Sequence, residues 1–244
     1  MAPLPTQKIL TNPAQTPQTS TGVSRRRFLG GTAASLVAAA TVNLLPGQKL
    51  MAQSTLTPEA ALKELMDGNE RFVSAKMTSF EHDLTILKEH TVDKQEPFAA
   101  VLSCADSRVP VELVFDQTIG HIFVSRVAGN IVTPEIIASL EYGAAVLGTK
   151  VILVLGHRNC GAVKAAIENK EVPGQISALY PHIRPAIDQA GTDLDATIKA
   201  NAQVQAKLLR DSSPVITPMV KDGKLKVVSG FFDLGSGRVT LLER

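Results

Sequence analysis

The chain has 244 residues, 44% of them hydrophobic and 4% aromatic, with 25 Lys and Arg against 23 Asp and Glu. The basic excess sits in the first 52 residues, which hold five Lys and Arg and no acid, so that 20 basic and 23 acidic side chains remain, a net charge of −3. That balance excludes a charge field for nucleic acid, while about 190 residues suffice for one α/β domain with its own core.

Residues 1–52 read as a targeting segment ahead of a catalytic domain over 53–244. Ser24-Arg25-Arg26-Arg27-Phe28-Leu29 resembles the twin-arginine export signal, and the Ala-rich run from Gly30 to Leu45 is too short and too weakly apolar for a transmembrane span. Ala52 is the expected last residue of the signal, although Leu50 stands two before it where a small residue is usual. A basic tail ahead of a cytoplasmic enzyme, or a retained anchor, are the alternatives. Export places the domain in the periplasm, or in a thylakoid lumen or at a cell surface according to the organism, with membrane contact only in transit.

Thr57-Pro58-Glu59 predicts a helix start, with Thr as N-cap, Pro at the first helical position and an acid in the first turn. Leu62, Leu65, Met66, Phe72 and Val73 form one apolar side of this arm, which extends over about 57–95. Two apolar runs, 98–103 and 151–155, predict buried parallel strands. Between them, Gly120 to Arg126 predicts a strand and Thr133-Pro134-Glu135 opens a helix to about Leu147. Helices are expected from Ile176 to Arg210, punctuated by Pro181 and Pro185. Lys224–Asp233 and Val239–Leu242 flank a Gly-rich turn and predict a hairpin that adds an antiparallel edge. The fold class is α/β, a mostly parallel sheet flanked by helices.

The only two cysteines lie in polar clusters directly after the two buried strands: Cys104-Ala105-Asp106-Ser107-Arg108 and His157-Arg158-Asn159-Cys160. In an open α/β sheet, reactive groups gather beyond the carboxyl ends of the strands. Cys104, His157 and Cys160 would then fill three corners of a zinc tetrahedron and leave one for water or substrate, which is a catalytic pattern. A disulfide is the competing use of two cysteines in an exported chain, but it gives Asp106, Arg108 and His157 no part. His82, His90, His121 and His182 lie outside the clusters and read as solvated or locally bonded, and Ser107 as a support of its loop.

Cys-x-Asp-Ser-Arg followed by His-x-x-Cys-Gly resembles the β-class carbonic anhydrases. Gly68-Asn69-Glu70-Arg71-Phe72, Arg126-Val127-Ala128-Gly129-Asn130 and Gly230-Phe231-Phe232-Asp233-Leu234 extend the resemblance over roughly 57–243, with Val127 a departure where the family often has Asn. It implies that fold with one zinc per subunit and reversible hydration of CO2 to bicarbonate and a proton. It also implies a homodimer or larger homo-oligomer whose N-terminal helices reach over a second subunit.

By the same resemblance, Asp106 and Arg108 are catalytic. Asp106 accepts a hydrogen bond from the nucleophile while paired with Arg108, and ligates zinc itself when that pair breaks. A plain loop-stabilising ion pair is the alternative. Gln95 is expected to bind substrate, Phe123 to wall the CO2 pocket, and Gly161 to let a helix N-terminus approach the metal; a surface Gln and a core Phe are the competing readings. A carbonyl sulfide or carbon disulfide hydrolase on the same fold, or a silent zinc protein, stand as alternative functions.

Overall fold

A computed structural model describes residues 54–78 and 91–242. The targeting segment with its arginines and Ala52, the histidines His82 and His90, and part of the arm therefore lie outside the described residues.

Period-two alternation within the apolar runs sets the architecture. In β1 (Ala99–Ser103) and β3 (Val151–His157) every residue is buried. Ala99, Val101, Val151 and Leu153 face one core layer, while Ala100, Leu102, Ile152 and Val154 face the other. Strands covered on both faces suit a parallel sheet roofed by helices. Five strands run in the order β2-β1-β3-β4-β5, where β2 is Ile122–Arg126, β4 Lys226–Phe232 and β5 Val239–Leu242. All neighbours are parallel except β4 and β5, which make the expected antiparallel edge.

One face carries α1 (Pro58–Val73) and the short α2 (Val111–Val114). The other carries α3 (Pro134–Ala145), α6 (Leu194–Ser212) and α7 (Ile216–Lys221). Toward the end of β3 lie α4 (Gly161–Glu168) and α5 (Tyr180–Ala190). The helix starts follow local chemistry: Thr57 Oγ1 accepts from the Ala60 N–H at 3.2 Å and Thr133 Oγ1 from that of Ile136 at 3.5 Å. Of the two prolines expected to punctuate 176–210, Pro181 marks the start of a helix and Pro185 does not. Pro181 occupies the first turn of α5 and Pro185 lies inside it, and the helix ends instead at Gly191, whose φ is +76°. A proline in the first turn forfeits no helical hydrogen bond.

The Gly68–Phe72 segment acts as a latch. A Cβ on Gly68 would lie 1.8 Å from the Phe115 carbonyl oxygen, so only glycine lets α1 approach that backbone. The buried Asn69 carboxamide donates to the Val114 and Gly237 carbonyls at 3.0 and 2.9 Å, and accepts from the Val239 N–H at 2.8 Å. Arg71 donates to Asp116, which is fully buried. Within the chain Leu65 is buried, while Leu62, Met66 and Phe72 pack against the same layer and stay partly exposed.

Candidate metal centre

The register puts both clusters at one end of the sheet. Ser103, last in β1, pairs with Leu155, so Cys104 and His157 emerge side by side at the carboxyl ends. Asn159 turns the chain with φ +55° and delivers Cys160 as the residue capping α4. The Val163 and Ala162 backbone amides face that sulfur.

Ligand atoms of Cys104, His157 and Cys160 all lie within 4.8 Å of one another, and all three residues are buried. The two sulfurs stand 4.0 Å apart. Two thiolates on one tetrahedral zinc at about 2.3 Å would stand roughly 3.8 Å apart, so the pocket is preset for the ion, and the cysteines are free thiols. Histidine supplies the sharpest test of fit. His157 Nδ1 lies 3.0 Å from the Arg158 carbonyl, an acceptor that fixes the proton on Nδ1, while the buried Nε2 has no partner. A buried and unsatisfied imidazole nitrogen beside two thiols is what a metal would satisfy.

Charge follows the same geometry. The Cys160 thiol beside it holds Cys104 far below the usual thiol range, with help from His157 and the Gly129 N–H, whereas Cys160 is pushed up by Cys104 and by burial.

Residues 99–239, more than half of the chain, match the carbonic anhydrase family. Carbonic anhydrase 2 of Mycobacterium tuberculosis is 33% identical over 198 residues, spanning 76% of this chain and 93% of that protein. Among solved structures, the β-carbonic anhydrase of Coccomyxa, in complex with acetazolamide, superposes with a TM-score of 0.58 at 25% identity, over 75% of this chain and 86% of that one. A tetrameric β-carbonic anhydrase of Sordaria macrospora shares the fold at 24% identity and a TM-score of 0.58, over 75% of this chain and 97% of that one. The chain belongs to the β-class carbonic anhydrases.

In this carbonic anhydrase, Asp106 is locked to Arg108 and does not join the tripod. Its Oδ1 accepts from the Arg108 N–H and Nε, both at 2.9 Å, and its Oδ2 from Nη2 at 2.7 Å. Arg108 holds the Asp106 carboxyl well below the usual carboxylate range. Oδ2 nevertheless lies 3.8 Å from His157 Nε2, at the edge of the metal position. The loop is carried by Arg126, which donates from Nε to the Cys104 carbonyl at 3.0 Å and from Nη2 to that of Asp106. Ser107 is exposed, and its hydroxyl takes no part in holding the loop.

Of the other expected site residues, Gly161 directly follows Cys160, while Phe123 and Gln95 lie on other segments. Phe123 sits mid-strand in β2 opposite Ala100, four residues before Cys104, and packs on Tyr142 with ring centroids 6.3 Å apart. Gln95 is exposed on the segment leading into β1. A Cβ on Gly161 would meet no atom within 4 Å, so nothing inside the subunit demands glycine there. His121 packs edge-on against Phe98 and His182 offers its carbonyl to Gln205; neither is among the metal-binding group. Missed by sequence reasoning was Gly129, at φ +76°, whose N–H points at Cys104 Sγ at 3.3 Å. Nothing in the linear Arg126–Asn130 motif says which backbone amide meets the sulfur.

Proposed function

We infer that this chain catalyses the reversible hydration of CO2 to bicarbonate and a proton, with one zinc ion held by Cys104, His157 and Cys160. The observation that carries it is the buried, unpartnered His157 Nε2 facing two thiols with a charged carboxylate at its rim. Zinc in that position supplies hydroxide near neutral pH by acidifying water, the established property of carbonic anhydrase zinc.

The chain's own residues do the rest. Arg108 fills three of the roughly four acceptor directions of Asp106, leaving Oδ2 able to accept one more hydrogen bond on the side facing His157. Asp106 would thereby accept a hydrogen bond from the attacking oxygen and orient it toward CO2. Held ionised by Arg108, it is a weak acceptor for the released proton. Breakage of the Arg108 pair would free Asp106 to swing onto the tripod and close the site. Gln95, Phe123 and Gly161 are proposed substrate contacts, supported by their places in the family motifs.

Stopped-flow CO2 hydration by the zinc-loaded chain, with chelation and zinc restoration as controls, tests this function. Hydration that follows zinc content bears it out. A zinc-replete chain that leaves CO2 untouched but hydrolyses carbonyl sulfide would move it to the alternative substrate.

Two further parts of the proposal concern setting. Export by the twin-arginine route is supported by the order Ser24-Arg25-Arg26-Arg27-Phe28-Leu29 ahead of an Ala-rich run; that route carries folded proteins, so the metal is loaded first and the thiols are protected from oxidation. No helix among the described residues is long and apolar enough to cross a membrane. Assembly into a homo-oligomer, the state of the Sordaria relative, is supported by β2. It is the sheet's outer parallel strand, with Ile122, Phe123 and Val124 only partly covered and Tyr142 and Val146 exposed beside it.

A further inference from the structure

Two carboxamides on the buried face of α6 have no place in the mechanism so far. Asn201 and Gln205 are 0% and 1% exposed among Ile198, Ala202, Ala206 and Leu209. Burying an amide costs free energy unless every polar atom finds a partner, and here each does, all within one small network. Asn201 Nδ2 donates to the Gly129 carbonyl at 2.8 Å. Gln205 Oε1 accepts from the Val132 N–H at 2.8 Å, and its Nε2 donates to the His182 carbonyl at 2.9 Å and to Asn201 Oδ1 at 3.2 Å. The pair, one helical turn apart, grips both ends of the turn at 129–132 and ties it to α5.

That turn is the one whose Gly129 N–H reaches Cys104 Sγ. At φ +76° Gly129 has no side chain to hold it, and the hydrogen of Cβ's place is hemmed by Ile183 and Ala162. We propose that Asn201 and Gln205 are positioning residues for the metal centre, holding the Gly129 amide on the Cys104 thiolate. An N–H···S bond withdraws electron density from the sulfur, so a thiolate held this way donates less strongly to its metal and leaves the metal a stronger Lewis acid. Partners one step removed from a metal ligand orient and tune it in this manner. The proposal rests on the zinc reading of Cys104, His157 and Cys160.

Its test compares the full chain with Asn201→Leu, which keeps the volume and removes the donor. With Co2+ in the site, the sulfur-to-cobalt charge-transfer band should move to longer wavelength in the variant. Zinc affinity, measured by chelator competition, should fall by about 10- to 100-fold, because the loss of a pre-oriented ligand outweighs the stronger donation of the freed sulfur. Leu65→Ala, buried in the core layer on the other face of the sheet, should lower Tm without moving the band, which separates positioning from general destabilisation. If Asn201→Leu does not fold, Gln205→Met is read by the same two measurements. A folded variant with the wild-type band and wild-type zinc affinity overturns the positioning role. A wild-type chain that binds neither Co2+ nor Zn2+ through its thiols overturns the zinc reading itself.

Discussion

Cys160 is buried at the amino end of α4, where its sulfur could hold a metal together with Cys104 and His157. Cys160→Ala leaves two ligands, too few for a stable site, and the purified variant should contain no zinc by elemental analysis while retaining the α/β circular dichroism of the parent. Asp106→Asn is the complementary change. Its amide can no longer accept on both oxygens, so zinc content should stay at one per chain while kcat falls on the order of 100-fold or more; an unchanged kcat would show the ion pair to be structural only. The pH behaviour of Asp106 has a definite sign. Arg108 depresses its carboxyl in the folded chain below the ordinary 3.8, so folding favours the ionised form. Whatever stability this gives is complete above the unfolded value and is lost only as pH falls further. Between pH 5 and 9 the Asp106 carboxylate should therefore show no titration step by 13C NMR, and an acid limb of activity in that window belongs to another group.

At the level of elements, α1 is joined to the sheet by specific polar contacts as much as by its apolar stripe. Arg71→Ala strips the cation from Asp116, which is fully buried and keeps only partners such as the Thr78 N–H at 3.0 Å. Removing one member of a buried pair costs about 3 kcal/mol or more, visible as a lower denaturation midpoint. Gly68→Ala should be at least as damaging, because the obstacle is the Phe115 backbone and no flexible side chain can yield. In both variants the zinc ligands, carried by β1, β3 and the start of α4, should still bind metal if the domain folds.

For the whole molecule, two outcomes are expected. Sedimentation at micromolar concentration should show a dimer or larger species, and Val146→Lys, at an exposed apolar position beside the outer strand, should shift it toward monomer. Changing Arg25 and Arg26 to Lys should leave the full-length precursor in the cytoplasm with its hydration activity intact; normal amounts beyond the membrane would refute export through these arginines.

The sequence by itself determined the parallel sheet and the identity of the ligands. Unbroken apolar runs of strand length, each ending in a Cys or His cluster, admit few other arrangements, and only two cysteines exist to choose from. Thr57 and Thr133 likewise declared their helices, because N-caps are local interactions. Other features depended on residues far apart in the chain meeting in space. Only the tertiary structure decided that Asn69 and Arg71 latch α1 to the sheet, that Arg126 and not Ser107 carries the Cys104 loop, and that Asn201 and Gln205 hold the turn bearing Gly129. A carboxamide on a helix gives no linear sign of which backbone, some seventy residues away, it will satisfy, since that partner is fixed by how helix and sheet pack.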